Sequence, residues 1–168
     1  NQPKIVSSGS TILENGKAAV EFDGSNDYFI SSNRFTHNTI AIVAKKPETS
    51  GLIWSAHNDG FTPQYIGRPS GQPTHFYYEN ISELASIFSS GQTLFFADKT
   101  KKLYANNVLK LSGALANAGT FDYLYIGSRE QLNSFFGGKY QELIIWPSDQ
   151  STNRTDIETN INDFYSIY

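Results

Sequence analysis

Turn-forming residues divide this chain into short apolar runs, and that spacing constrains its fold more than any other feature. The turn signals recur about every 8 to 15 residues, at 15–16, 23–24, 47–51, 59–60, 67–73, 91, 106–107, 127, 137–138 and 147. The runs between them are rich in Val, Ile, Phe and Tyr and cover 17–22, 27–31, 39–45, 52–57, 75–80, 93–97, 102–105, 108–112, 123–127 and 139–146. Many short strands at this spacing predict a β-sandwich or barrel rather than alternating strands and helices.

Composition excludes several functional classes. The 168 residues carry a formal net charge of −3, and only 17% of them are charged. A nucleic-acid binder normally needs a basic surplus to neutralise phosphates, so nucleic acid is excluded as a partner. No apolar run approaches the roughly 20 residues of a membrane-spanning helix, which excludes membrane insertion. The absence of Cys removes disulfides, thiolate metal sites and thiol nucleophiles.

The local pattern predicts hairpins and two-faced strands. Leu124 and Ile126 alternate with Tyr123 and Tyr125, so one pair should face the core and the other should stand on an open face. The Asn-Gly pair at 15–16 and the Asn-Asn pair at 106–107 tolerate positive φ, which predicts hairpin turns there. The segment 83–90 fits a strand or a short helix.

The end of the chain changes to helical spacing. The apolar residues at that spacing are Ile157, Ile161, Phe164 and Tyr165. Thr155 and Glu158 match a capping box, while Ser151 or Thr152 offers an earlier start. The pattern predicts one amphipathic helix whose Ile, Phe and Tyr stripe packs on the sandwich.

Three segments in this order resemble the concanavalin A-like superfamily, specifically its laminin-G-type modules. The first is AAVEFDGSNDYFI at 18–30 followed by TIAIVAKK at 39–46, which is similar to the family's strand, Phe-Asp-Gly turn and apolar strand. The second, KLYANNVL at 102–109, resembles a Leu-Tyr-Val-Asn-Gly hairpin, with Asn107 where Gly is usual. The third is YIGSREQLNSFFGGKYQELIIW at 125–146 with the terminal helix.

This resemblance implies an all-β fold, namely a two-sheet antiparallel jelly-roll sandwich with a short C-terminal helix. We expect one domain over residues 1–168. The chain begins at Asn1 and contains no Met, so we expect it to be a processed product or a piece of a longer chain. Modules of this kind occur in bacterial surface proteins, secreted glycosidases and phage virion proteins. The expected location is therefore extracellular, on a cell surface or in a virion.

The resemblance also suggests a cation at the rim of the sandwich. Laminin-G-type domains often hold one Ca²⁺ through loop oxygens, and Asp23, Asn26 and Asp27 offer the oxygen ligands that Ca²⁺ prefers. The alternative is that these side chains cap backbone N–H groups in a tight turn. No cofactor is expected apart from this Ca²⁺.

Aromatic and polar side chains supply candidates for glycan binding. Sugar rings stack their apolar C–H faces on Tyr and Trp, while Asn, Arg and His satisfy the hydroxyls. The candidate ligand-binding residues are Trp54, His57, Asn58, Tyr65, Tyr77, Tyr123, Tyr125 and Arg129. The alternative for each aromatic residue is packing within the sheets.

The function expected first is a non-catalytic lectin-like recognition or adhesion module that binds a glycan or cell-surface polysaccharide. The alternative is a structural or assembly domain of a phage virion or surface fibre, and a homo-oligomer formed through the parent chain is compatible with both. A glycan-cleaving enzyme is the third hypothesis. Glu21 and Asp23 match two positions of a Glu-x-Asp-x-x-Glu strand, but Asn26 stands in the third acidic position. We therefore expect no enzymatic activity.

Overall fold

The computed structural model describes residues 2–45, 51–57, 64–68, 75–78, 81–84, 91–100, 102–113, 119–129 and 132–168, which form short strands followed by one helix. The first strands are β1 (Val6–Ser7), β2 (Ser10–Thr11), β3 (Leu13–Glu14), β4 (Lys17–Ala18), β5 (Val20–Asp23), β6 (Phe29–Ser31), β7 (Phe35–His37), β8 (Thr39–Lys45) and β9 (Gly51–His57). The later strands are β10 (Gln64–Arg68), β11 (His75–Tyr78), β12 (Ile81–Leu84), β13 (Gln92–Asp98), β14 (Lys102–Ala105), β15 (Val108–Ser112), β16 (Gly119–Phe121), β17 (Tyr123–Ile126) and β18 (Gly137–Trp146). A 3₁₀ turn at Ser151–Asn153 leads into α1 (Arg154–Tyr165), so the expected all-β chain with a short C-terminal helix is confirmed.

Two six-stranded sheets form the body of the fold. Sheet I has the order β15-β14-β13-β8-β18-β5, and sheet II has the order β12-β11-β10-β9-β17-β6. Neighbouring strands within both sheets are antiparallel. Small two-stranded ribbons join β1 to β2, β3 to β4 and β7 to β16.

One hydrophobic core lies between the two sheets. Ile42 and Phe95 enter it from sheet I, and Trp54 and Ile66 enter it from sheet II, all fully buried. Because the cluster draws on both sheets, the sheets pack face to face. Burying one such side chain stabilises the fold by about 1.5–3 kcal/mol, so this core is the main source of stability.

The helix α1 covers the opposite face of sheet I. Val43 of β8 and Phe96 of β13 point away from the shared core and pack with Ile161 and Tyr165 of α1. The central strands β8 and β13 are therefore buried on both faces. This double burial explains why TIAIVAK and QTLFFAD read as almost unbroken apolar runs instead of alternating ones.

Two details of the predicted helix are wrong. Phe164 was expected in the buried stripe but is 56% exposed, because the neighbouring Tyr165 takes the position facing the sheet. The predicted capping box is also absent, since the helix begins at Arg154 after Asn153, which makes no side-chain cap. Glu158 instead faces the fold and pairs with Arg154 one turn earlier.

Both predicted Asn turns are confirmed as positive-φ turns. Asn15 and Gly16 have φ of 47° and 73°, and Asn106 and Asn107 have φ of 48° and 62°. Polar contacts hold the first turn against sheet I, since Asn15 Nδ2 donates to Gln92 Oε1 at 2.7 Å. The turn is thus part of the packed structure.

Sequence alternation missed several strands. β10 (Gln64–Arg68) was in no predicted run, and its last two residues fall on the turn signal at 67–73; Gly67 fits this strand because a Cβ there would meet the carbonyl oxygen of Gly51 at 2.6 Å. In the ambiguous segment 83–90, β12 extends to Leu84, and residues 85–90 lie outside the described part of the chain.

Candidate ligand-binding face

Three strands of sheet II bring aromatic residues into one row. Ser55 of β9 is opposite Tyr65 of β10 on one side and Tyr125 of β17 on the other. Two residues along the same strands, His57 is opposite Tyr123. Directly opposed residues of antiparallel strands share a face, so these side chains lie together on the outer face of sheet II.

The inner face of the same strands confirms this orientation. Leu124 and Ile126 pack against the shared core, and Ala56 and Trp54, their partners on β9, belong to it. The predicted alternation of Tyr123 and Tyr125 with these core residues is therefore confirmed, but the prediction that Tyr125 stands on an open face is wrong, because its side chain is buried.

We name the set His57, Tyr65, Tyr123, Tyr125 and Arg129 the outer-face patch. The His57 and Tyr123 rings are stacked, with centroids 6.5 Å apart and planes at 25°, and the Tyr123 and Tyr125 centroids are also 6.5 Å apart. The guanidinium carbon of Arg129 lies 5.9 Å from the centroid of the Tyr65 ring. Tyr125 is only 8% exposed, whereas the other four side chains are half-buried, so the accessible surface comes from those four.

The loop after β17 positions Arg129. The hydroxyl of Ser55 donates to the carbonyl oxygen of Ser128 at 2.9 Å, which ties this loop to the outer face. Gly127, with φ of 84°, turns the chain there, and a Cβ at this position would meet the Phe22 ring at 2.5 Å. The backbone N–H of Arg129 donates to the carbonyl oxygen of Asn133 at 3.0 Å. Arg129 is thus carried by a loop with fixed ends.

The patch also contains a buried polar atom. Nδ1 of His57 is inaccessible to solvent and has no hydrogen-bond partner among the described residues. A buried polar atom normally gains a partner, because leaving it unpaired costs free energy. Because Nδ1 is shielded, a ligand at this face can reach the imidazole only through its other ring atoms.

The remaining sequence candidates are Trp54, Asn58 and Tyr77. Trp54 is 0% exposed and lies in the shared core, 5.2 Å from the His37 ring, so its prediction as a stacking surface for sugars is wrong. Asn58 lies outside the described residues. The backbone of Tyr77 is on β11 opposite Gly67, one strand beyond Tyr65.

Asp23 and Asp27 stabilise the turn that follows β5. Asp23 Oδ1 accepts the backbone N–H groups of Ser25, Asn26 and Asp27 at 2.8–3.2 Å, and Asp27 Oδ2 accepts the N–H of Asp23 at 3.1 Å. The N–H groups of Asn26 and Ser25 hold the pKa of the Asp23 carboxyl below its usual range. This is the turn-capping alternative, and it engages oxygens that a cation would use.

The Ca²⁺ site at Asp23, Asn26 and Asp27 stays a prediction. The part of the chain that the structure describes has no group of three or more His, Cys, Asp or Glu residues able to hold a metal. Thermal unfolding in Ca²⁺ and in EDTA tests the site, since a cation bound to the folded state raises the melting midpoint. Equal midpoints would contradict it.

The acidic strand considered for catalysis faces away from the shared core. Glu21 and Asp23 alternate with Phe22, whose ring is in that core, so the two carboxylates share the opposite face of β5. Asp23 is occupied by the turn. The expectation of no enzymatic activity stays a prediction.

Ser55 and Ser128, which hold the Arg129 loop against sheet II, were not among the site residues predicted from the sequence. Ser55 interrupts the apolar run GLIWSAH in the middle of a buried strand, and a polar residue in such a place usually satisfies a specific partner. That interruption was an available signal, although its partner is 73 residues away.

Comparison of the chain with protein-family models and with curated protein sequences finds no match. Among the described residues, no helix combines the length and apolar character needed to cross a membrane.

Proposed function

We propose that this domain is a non-catalytic glycan-binding module and that the outer-face patch is its binding surface. The observation that carries the proposal is the convergence of His57, Tyr65, Tyr123 and Arg129, from three strands and one loop, on a single face of sheet II. The register of sheet II brings the three strand residues together, and the loop after β17 adds Arg129. The comparisons with known proteins provide no argument for or against this function.

The chemistry of the patch suits a sugar. Tyr65 and Tyr123 offer rings for stacking on C–H faces, and their hydroxyls, together with Arg129 and His57, offer hydrogen-bonding groups. All four side chains are half-buried, so each presents an edge or face while the remainder is supported by the sheet. Supported rings lose little conformational entropy on binding, which favours affinity.

We further propose that the fold is a jelly roll of the concanavalin A-like, laminin-G type, displayed outside the cell or on a virion. Two antiparallel six-stranded sheets on a shared core, with connections that pass between the sheets, support this topology. A crystal structure tests it, and a chain path that differs from a jelly roll would contradict it.

A glycan array tests the binding function. We expect the wild-type protein to bind at least one glycan class, and we expect Tyr123→Ala and Arg129→Ala to abolish the signal. Tyr168→Ala is the matched control, because Tyr168 is 52% exposed and belongs to the C-terminal end instead of the patch. Absence of binding to every glycan class would contradict the proposal.

One observation favours the alternative of an assembly domain. The N-terminal segment exposes large apolar side chains, with Ile5 at 61%, Val6 at 49% and Leu13 at 49%. Exposed apolar groups of this kind often mark protein contacts. Light scattering distinguishes the functions, because an assembly domain should form a trimer or larger species and a monomer at high concentration would contradict assembly.

A further inference from the structure

An open groove lies beside α1, on the face of sheet I that points away from the shared core. It has a volume of about 500 Å³. Glu142 and Ile144 of β18 line it from the sheet, and Ile161, Phe164 and Tyr165 line it from the helix. The helix therefore leaves part of the outer face of β18 accessible. The groove and the outer-face patch are on different sheets.

The charged residues that line the groove are acidic, and the ammonium of Lys17 lies beside its Phe164 ring. Its described lining contains the carboxylates of Glu142 and Asp163 and no Lys or Arg. The Tyr165 hydroxyl donates to Glu142, and burial raises the pKa of the Glu142 carboxyl because its charge is partly desolvated. A partly desolvated carboxylate beside apolar side chains gains more from an added cation than an exposed one does.

Phe164 provides an aromatic surface at the same place. Its side chain is 56% exposed although it lies on the helix beside two buried residues. The Nζ of Lys17 is 4.0 Å from the centroid of the Phe164 ring. A lysine ammonium of this chain thus makes a cation–π contact with that ring, and the 56% exposure leaves part of the ring open to a second group.

We propose that this groove binds a lysine side chain of a partner protein. The ammonium would pair with Glu142, and the aliphatic stem would pack on Ile144 and Phe164. Charge complementarity argues for a cation, and the apolar lining argues for the long methylene stem that lysine carries. This inference goes beyond the proposed glycan binding and does not depend on it.

NMR titration with a short peptide tests the proposal. The probe is acetylated and amidated Gly-Gly-Lys-Gly-Gly, and its control has norleucine in place of lysine, which keeps the stem and removes the charge. We expect the lysine peptide to shift the amide signals of Glu142 and residues 160–165, and we expect the norleucine peptide to leave them unchanged. Equal shifts with both peptides, or none with the lysine peptide, would overturn the proposal.

Variants of the protein measure how much each residue of the groove contributes to binding the lysine peptide. Glu142→Gln should weaken binding about tenfold, because a hydrogen bond to a charged group contributes more than a neutral one. Phe164→Ala should weaken it about two- to fivefold through the lost cation–π contact. Lys17→Ala should strengthen it, since the competing ammonium is removed. Asp156→Asn removes a carboxylate from the same helix outside the groove and should change nothing, so a loss as large as that of Glu142→Gln would contradict the assignment.

Discussion

The outer faces of the two sheets differ in chemistry although both sheets share one core. The outer face of sheet I carries Val43 and Phe96, and the chain's own helix covers it with Ile161 and Tyr165. The outer face of sheet II carries Tyr65, Tyr123 and His57, which are amphipathic and half-buried. The apolar outer face of sheet I therefore serves stability, and the amphipathic outer face of sheet II is the one we propose as the ligand-binding surface.

The largest effect should come from the helix-covered face. Phe96→Ala removes a fully buried ring under α1 and should lower the free energy of unfolding by about 3–5 kcal/mol. Urea unfolding followed by circular dichroism measures it. Phe164→Ala, which removes an exposed ring from the helix itself, is the control and should change stability by less than about 1 kcal/mol. Similar losses of stability in both variants would contradict the conclusion that the face of sheet I covered by α1 serves stability.

The contact between α1 and the β14–β15 hairpin should give the next largest effect. Arg154 pairs with Glu158, donates to Asn107 Oδ1 at 2.7 Å and lies 4.1 Å from the centroid of the Tyr104 ring. Glu158 is 1% exposed, so Arg154→Ala leaves a buried carboxylate without its cation and should cost about 2 kcal/mol at pH 7.

This loss should depend on pH. Burial holds the pKa of Glu158 above its usual range, so the folded state binds a proton more readily than the unfolded state. The deficit of Arg154→Ala is therefore greatest at pH 7 and should shrink as the pH falls and Glu158 is protonated. Urea unfolding from pH 7 to pH 5 measures this trend. The control Arg34→Ala removes an exposed ion pair to Asp122 and should show a small, pH-independent change.

Ser55→Ala tests whether the Ser55 hydroxyl holds the loop that carries Arg129 of the outer-face patch. The substitution removes the donor to the Ser128 carbonyl oxygen and should cost about 1 kcal/mol. Hydrogen exchange should accelerate at the amide of Arg129, because the loop loses its tie to β9. Ser112→Ala, at an exposed position of β15, should leave that exchange rate unchanged. Unaltered exchange in Ser55→Ala would show that the loop is held by other contacts.

The smallest effect on stability should come from the patch itself. Tyr123→Ala removes a half-buried ring from the outer face of sheet II and should cost about 0.5–1 kcal/mol through its lost contacts with His57 and Tyr125. Thermal unfolding provides the measurement. A loss near that of Phe96→Ala would show that Tyr123 serves packing and would remove the contrast between the two faces.

Local sequence patterns predicted the positions of strands and turns more successfully than the pairing of the strands in the sheets. The Asn15 and Asn106 turns followed from the tolerance of Asn for positive φ, and the run 39–45 matches β8. The register that places Tyr65 and Tyr125 on either side of Ser55 joins residues far apart in sequence, which no local signal encodes. Trp54 was misplaced because residues 52–56 are almost all apolar, so alternation does not say which side chains point inward.

The position of the helix could likewise be predicted from local sequence, whereas its tertiary contacts could not. Helical spacing identified α1 because its apolar residues repeat locally, but it placed Phe164 and Tyr165 equally on the buried stripe. Which of these neighbours faces the sheet depends on how the helix is rotated against β13, and that is a tertiary contact. The groove beside Phe164 and Glu142 follows from that rotation, so the sequence alone did not predict it.

We propose that the outer face of sheet II binds a glycan. The most direct test of this proposal is an NMR titration of the protein with the strongest ligand from the glycan array. We expect amide shifts concentrated at His57, Tyr65, Tyr123 and Arg129, with weaker binding by Tyr123→Ala and unchanged binding by Tyr168→Ala. Shifts located elsewhere, or equal binding by wild type and Tyr123→Ala, would contradict it.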